Sequence, residues 1–192
     1  RYGQGTKEVV LLGMNPGPWG MVQCGIPFGE LNAVKEWLCI DAPIEKPARE
    51  HPKRLIEGYD CKRSEVSGKR VWGWAKERFS TPDAFFERFF VANYCPLAFM
   101  EEGGRNRIPE KLPKAEREAL MAICDDALRQ TIELLSPQVL IGVGRYARDR
   151  AEAALGGMDV QIALTAHPSP ANPAANKGWT PLIEKTLSEL GL

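Results

Sequence analysis

Glu8-Val9-Val10-Leu11-Leu12-Gly13 decides the fold. The run is apolar from Val9 and stops at glycine, with none of the apolar–polar alternation of a strand that has one wet face. It therefore reads as a parallel strand buried on both sides. Working outward, similar short runs recur at Phe89-Phe90-Val91-Ala92, at Val139-Leu140-Ile141-Gly142-Val143 and from Val160 to Thr165. Helical periodicity separates them. It covers about Glu30 to Leu38, Ala115 to Leu135 with a stop at Ser136-Pro137, the stretch after Val143 through Leu155, and about Thr180 to Leu190. Asp41 to Gly58 is rich in proline and charge and reads as irregular. Strands alternating with helices predict an α/β fold: three layers, α/β/α, around a short, mainly parallel central sheet. We expect one domain over residues 1–192, with no internal repeat. The chain opens at Arg1, only a few residues before a strand, so an upstream segment is expected.

Composition narrows the class. The 192 residues are 44% hydrophobic and 26% charged, the balance of an ordinary globular chain. Formal net charge is zero, so no global positive field advertises nucleic acid, and any phosphate binding must come from local clusters. Five cysteines, Cys24, Cys39, Cys61, Cys95 and Cys124, are scattered without a CxxC pair. That pattern predicts reduced thiols and offers no metal site. No apolar run approaches the roughly 20 residues a membrane span needs.

In α/β folds ligands bind beyond the C-terminal ends of the strands. Three polar, proline-rich loops leave such ends here. The first, residues 13–30 (GMNPGPWGMVQCGIPFGE), has a fixed backbone that a flat ligand can approach closely. Its Asn15 can hold a water in one orientation, and its Phe28 offers a ring for stacking, although Phe28 reads equally as a core residue. The second, residues 93–97 (NYCPL), places the Asn93 amide where a base edge could be read, or where a turn needs an asparagine. The third, residues 167–179 (HPSPANPAANKGW), begins with a histidine held by prolines. The other histidine, His51, sits in a charged loop and reads as surface.

These three segments resemble the signature motifs of the uracil-DNA glycosylase superfamily, and within it the single-strand-selective, monofunctional group. Arg63-Ser64-Glu65-Val66-Ser67-Gly68 and Trp72-Gly73 are similar as well, so the resemblance covers most of the chain. It implies an enzyme that flips uracil, and related lesions such as 5-hydroxymethyluracil, out of DNA. Hydrolysis of the N-glycosidic bond then leaves an abasic site, with no cofactor and no metal. Asn15 would orient the attacking water, and His167 would donate to uracil O2 as charge develops there. Phe28 would stack on the base, Asn93 would pair with its edge, and Gly17 and Met21 would border C5. DNA contacts would come from Ser64, Ser67, Gly68, Lys69, Ser169, Pro170, Ala171, Asn172 and Lys177. Further candidate phosphate contacts are Lys62, Arg63, Arg70, Arg105 and Arg107, with the loop Glu101-Glu102-Gly103-Gly104 as a weaker one. The partner would be DNA, bound by a monomer without a membrane, in the nucleus of a eukaryote or the cytoplasm of a prokaryote. Two positions depart from the family pattern. Ala171 stands where a basic wedge residue is usual, and Cys24 where threonine is.

The motif loops agree with that chemistry. The first and third contain no aspartate, and their only glutamate is Glu30 at an edge. They are therefore poor in the paired carboxylates that many glycosidases use, and leaving-group stabilisation by donors is favoured. Lys177 is the only lysine in these loops, and a phosphate or solvent role for it predicts cleavage without strand nicking. Three rivals stand. Gly142-Val143-Gly144 suggests a nucleotide-binding module, but it lacks a third glycine and an acidic partner. A relative that removes xanthine or hypoxanthine would share these loops. A non-catalytic single-strand binder would need arrayed aromatics, which are missing.

Overall fold

The computed structural model describes residues 1–192. Four parallel strands form the central sheet: β1 (Val9–Gly13), β2 (Phe89–Asn93), β5 (Val139–Val143) and β6 (Gln161–Thr165). Their order is β2-β1-β5-β6, which puts the first run of the sequence at the centre. A separate antiparallel hairpin joins β3 (Phe99–Met100) to β4 (Asn106–Arg107).

Side-chain alternation along β1 shows why the run is apolar throughout. Val9 and Leu11 enter one hydrophobic cluster, while Val10 and Leu12 enter a second on the opposite face. The first cluster is covered by α2 (Val66–Phe79), α3 (Pro82–Arg88) and α7 (Thr180–Glu189). The second is covered by α4 (Lys114–Leu135) and α5 (Arg145–Ala154). The three-layer α/β/α architecture is thus the one expected. Two short helices, α1 (Met21–Cys24) and α6 (Pro173–Asn176), lie inside the first and third motif loops.

Two helices were not expected. α2 starts on Glu65, whose carboxylate accepts from the backbone N–H groups of Ser67 and Gly68, and it buries Trp72 and Trp74. α3 starts on Thr81 with Pro82 in its first turn. The helix expected over Glu30 to Leu38 is present over residues 31–37, short and distorted, with a π-helical core, Ala33–Trp37. His51 is partly exposed in a turn, its Nδ1 accepting from the Lys53 N–H at 3.2 Å. All five cysteines are free, and only Cys39 is exposed. No helix is long and apolar enough to cross a membrane.

Candidate active site

The C-terminal ends of β1, β2 and β6 bring the three motif loops to one cavity of about 280 Å³. Asn15, Gly17, Met21, Phe28, Asn93, His167 and Ser169 line it together. So do Glu65, Ser67 and Asn106, which come from α2 and from the hairpin.

His167 is held in one tautomer. Its Nδ1 accepts the backbone N–H of Ser169 at 3.0 Å, so the proton of the neutral ring sits on Nε2. Burial lowers its pKa below the ordinary 6.5, since desolvation penalises the charged ring. The loop behind it is braced. Asn172 donates to the His167 carbonyl at 2.9 Å and caps α6 by accepting from the Ala174 N–H. Arg70 donates to the Pro168 carbonyl at 2.7 Å and to Asn176 Oδ1 at 3.0 Å.

Phe28 is fixed through its backbone. It adopts φ of 52°, and its carbonyl accepts from Trp72 Nε1 at 3.0 Å and from the Glu30 N–H at 2.8 Å. Gly68 packs so closely on it that an added Cβ would lie 2.8 Å from the Phe28 carbonyl carbon. The ring centre stands 6.4 Å from that of His167. Asn93 ends β2 in register with Gly13, and its Nδ2 rests 3.2 Å from Met21 Sδ. Beside it, Tyr94 donates to Asp125 at 2.6 Å and accepts from Arg150 at 3.1 Å, which anchors this loop to α4 and α5. Asn15 makes only long contacts, at 3.5 Å to the Pro16 and Leu97 carbonyls, and its buried Oδ1 accepts nothing from the protein. Around Gly17 the space is open: an added Cβ would meet no atom within 4 Å.

The candidate DNA contacts divide. Ser64, Pro170, Ala171 and Lys177 are exposed, as are Lys62, Arg63 and Arg105, with Arg63 5.1 Å over the Trp19 ring. Others also meet groups of the protein itself. Gly68 is buried with its N–H committed to Glu65, and Ser67 faces the cavity from a buried position. Lys69 lies in a groove with Glu30 and Glu36. Arg70 and Asn172 hold the third loop, as described. Arg107 is paired bidentately with Glu101, at 2.8 and 2.7 Å, across the hairpin. Cys24 does not line the cavity. It donates weakly to the Gly20 and Gly29 carbonyls, and burial pushes its thiol up to about 11.

The glycines of Gly142-Val143-Gly144 are packing positions. A Cβ on Gly142 would strike the backbone of Arg148, and one on Gly144 would sit 3.2 Å from His167. That accounts for both without a nucleotide. A feature the sequence reading missed lies alongside. The first turn of α5, which carries no carboxylate, opens on a second cavity of about 590 Å³ beside Ala171 and Asn172. Exposed Arg145 and buried Thr165, whose hydroxyl has no protein partner, line it.

The parallel sheet and this constellation at its C-terminal edge define a base-excising glycosidase class. The chain belongs to the uracil DNA glycosylase superfamily, whose family model matches residues 1–190. Over 194 aligned positions it is 49% identical to the single-strand selective monofunctional uracil DNA glycosylase of Mus musculus, covering 100% of this chain and 70% of that one. The rat and cattle proteins of the same name are 50% and 47% identical, with 100% of this chain and 70% and 71% of theirs covered. Its fold is shared with the crystal structure of wild-type Pedobacter heparinus SMUG2. The TM-score is 0.69 at 18% identity, over 97% of this chain and 75% of that one.

Proposed function

We propose that this chain is a monofunctional DNA glycosylase that hydrolyses the N-glycosidic bond of flipped uracil and leaves an abasic site. The observation that carries it is the Ser169 N–H on His167 Nδ1, which leaves a neutral Nε2–H as the donor to the base. As the C1′–N1 bond breaks, its electron pair goes to the base, and a donor at O2 stabilises the departing anion. Phe28 stacks on the ring. Asn93 accepts from N3–H through Oδ1 and donates to O4 through Nδ2. The free Oδ1 of Asn15 holds the attacking water, and an oxocarbenium-like sugar needs no strong base beside it.

Asn15→Ala is therefore expected to slow single-turnover uracil release on the order of 10²-fold while binding of an uncleavable 2′-fluoro-uracil oligonucleotide is retained. The assay uses labelled single-stranded and duplex oligonucleotides, with and without alkali. Cleavage only after alkali supports the monofunctional reading, and scission without alkali would move Lys177 to the centre. No uracil release, with release of xanthine or hypoxanthine instead, would favour the purine-preferring relative. Open space at Gly17 supports acceptance of 5-hydroxymethyluracil as well.

DNA is the partner, bound by a monomer, and a nuclear setting is proposed if the source is eukaryotic. The first turn of α5 with Arg145 suits a backbone phosphate, because helix N-termini present N–H groups without intrahelical partners. Ala171, exposed at the tip of the third loop, has only a methyl to place in an emptied stack. Unstacking costs a few kcal/mol and is least in a single strand, which supports single-strand preference. Ala171→Arg should raise uracil release from duplex DNA, about tenfold if the wedge recovers some 1.4 kcal/mol, with little change on single strands. Equal gains on both substrates would mean added charge, not a wedge.

A further inference from the structure

The cavity holds a third asparagine that the mechanism above does not use. Asn106 lies on β4, outside the three motif loops, and lines the cavity from the hairpin. Its side chain makes no hydrogen bond within the protein, and its Oδ1 is buried without a donor. An amide buried in this way costs stability unless something supplies the missing bond. The Glu101–Arg107 pair clamps the hairpin at the same level, so the strand that carries Asn106 is held in place.

The placement says what the amide meets. Asn106 pairs across the hairpin with Met100, and the segment leading into that strand carries Leu97, whose carbonyl is 3.5 Å from Asn15 Nδ2. Asn106 and Asn15 thus approach the cavity from adjoining backbone, and each brings a buried amide oxygen that accepts nothing from the protein. One acceptor leaves a water free to rotate about a single hydrogen bond. Two acceptors engage both of its O–H groups and leave a lone pair facing the remaining direction, that of the sugar.

We infer that Asn106 is a third catalytic residue and the second to hold the water, its Oδ1 accepting one O–H of the attacking water while Asn15 Oδ1 accepts the other. This rests on the glycosylase reading proposed above. In the step, the water oxygen bonds to C1′ and the C1′–N1 pair leaves with uracil. The surplus water proton ends on the uracil anion, and neither asparagine changes protonation.

The test is single-turnover uracil release from a single-stranded oligonucleotide by the wild-type chain, Asn15→Ala, Asn106→Ala, Asn106→Asp and the double alanine variant. Binding of the 2′-fluoro-uracil oligonucleotide and thermal unfolding are measured on each. Asn106→Ala should slow release on the order of tenfold with the 2′-fluoro affinity kept. Asn106→Asp, which retains an acceptor, should recover most of that loss. The double variant should be no slower than Asn15→Ala alone, because both residues hold one water. Several results would overturn the inference. Asn106→Ala could act at the wild-type rate, or lose affinity and rate together. Asn106→Asp could be as slow as Asn106→Ala while equally stable. The two losses could multiply. Failure of the wild-type chain to release uracil would instead refute the proposed function, so the two failures are distinct.

Discussion

His167→Ala is expected to lower the single-turnover rate of uracil release by about 10²–10³, or 2.7–4 kcal/mol of transition-state stabilisation, with little change in affinity for uncleavable substrate. The split follows from when the interaction matters. In the ground state O2 is a neutral carbonyl and accepts a modest hydrogen bond. In the transition state it carries much of the charge of a departing anion, and the same Nε2–H is worth more. Nothing must reorganise at that moment, because the tautomer is set by the Ser169 N–H and the loop is pinned by Arg70 and Asn172. Arg70→Ala should therefore reproduce part of the loss without removing any atom from the cavity. A drop of rate and affinity by the same factor would show that His167 only helps to bind the base.

The same geometry fixes the sign of the pH dependence. Burial holds the His167 pKa below 6.5, so the ring is neutral through and above neutrality, and the rate should be flat there. On acidification Nδ1 takes a proton and becomes a donor facing the Ser169 N–H, so activity should fall on the acid side, below pH 6.5. Stability moves the same way. An unfolded histidine takes up its proton near 6.5 while the folded one resists until lower pH, so the native state loses stability as pH falls through that window. An optimum in the acid range with loss toward pH 8 would mean that the imidazolium is the working form.

Much of the architecture was legible because burial on both sheet faces writes itself as unbroken apolar runs. Val9–Gly13 and Val139–Val143 were bounded correctly to within a residue for that reason. α2 was hidden because Gly68 and Gly73 interrupt its propensity and its buried face is built from two tryptophans, not a regular aliphatic stripe. α3 has a start signal in Thr81 followed by Pro82, but only seven residues of helix after it, too few for a periodicity to show. Asn15, Phe28, Asn93 and His167 were legible because their loops leave strand ends, whereas Gly17 and Met21 came only with the family resemblance. Asn106 could not be found that way, since a hairpin of two-residue strands has no periodicity to read. Charge gave the poorest guidance. Arg70 and Arg107 look like free phosphate ligands in a list of cations, and only the fold reveals that each is bonded to protein groups.

Replacing Gly13 by alanine should abolish base recognition while leaving the fold largely intact. Gly13 closes β1 directly beside Asn93 in the parallel register, and an added Cβ would overlap the Asn93 amide oxygen and lie 2.8 Å from Phe28 Cζ. Both groups proposed to read the base would have to give way at once. The Phe28 backbone is anchored, its carbonyl held by Trp72 and Glu30 with Gly68 pressed against it, so only the ring can shift, away from its stacking position. The Asn93 amide would turn away, and a site built around a matched donor and acceptor rejects what it can no longer pair by large factors. We expect a loss on the order of 10³-fold in kcat/KM, with binding of the 2′-fluoro-uracil oligonucleotide lost in parallel, unlike Asn15→Ala. The colliding atoms are side-chain ends, so the melting temperature should move little. Gly68→Ala provides the contrast, since its Cβ collides with the Phe28 backbone carbonyl, and overpacking of that kind costs about 1–3 kcal/mol or more. A folded Gly13→Ala that still binds and cleaves uracil at the wild-type rate would show that Asn93 and Phe28 are not the residues that hold the base.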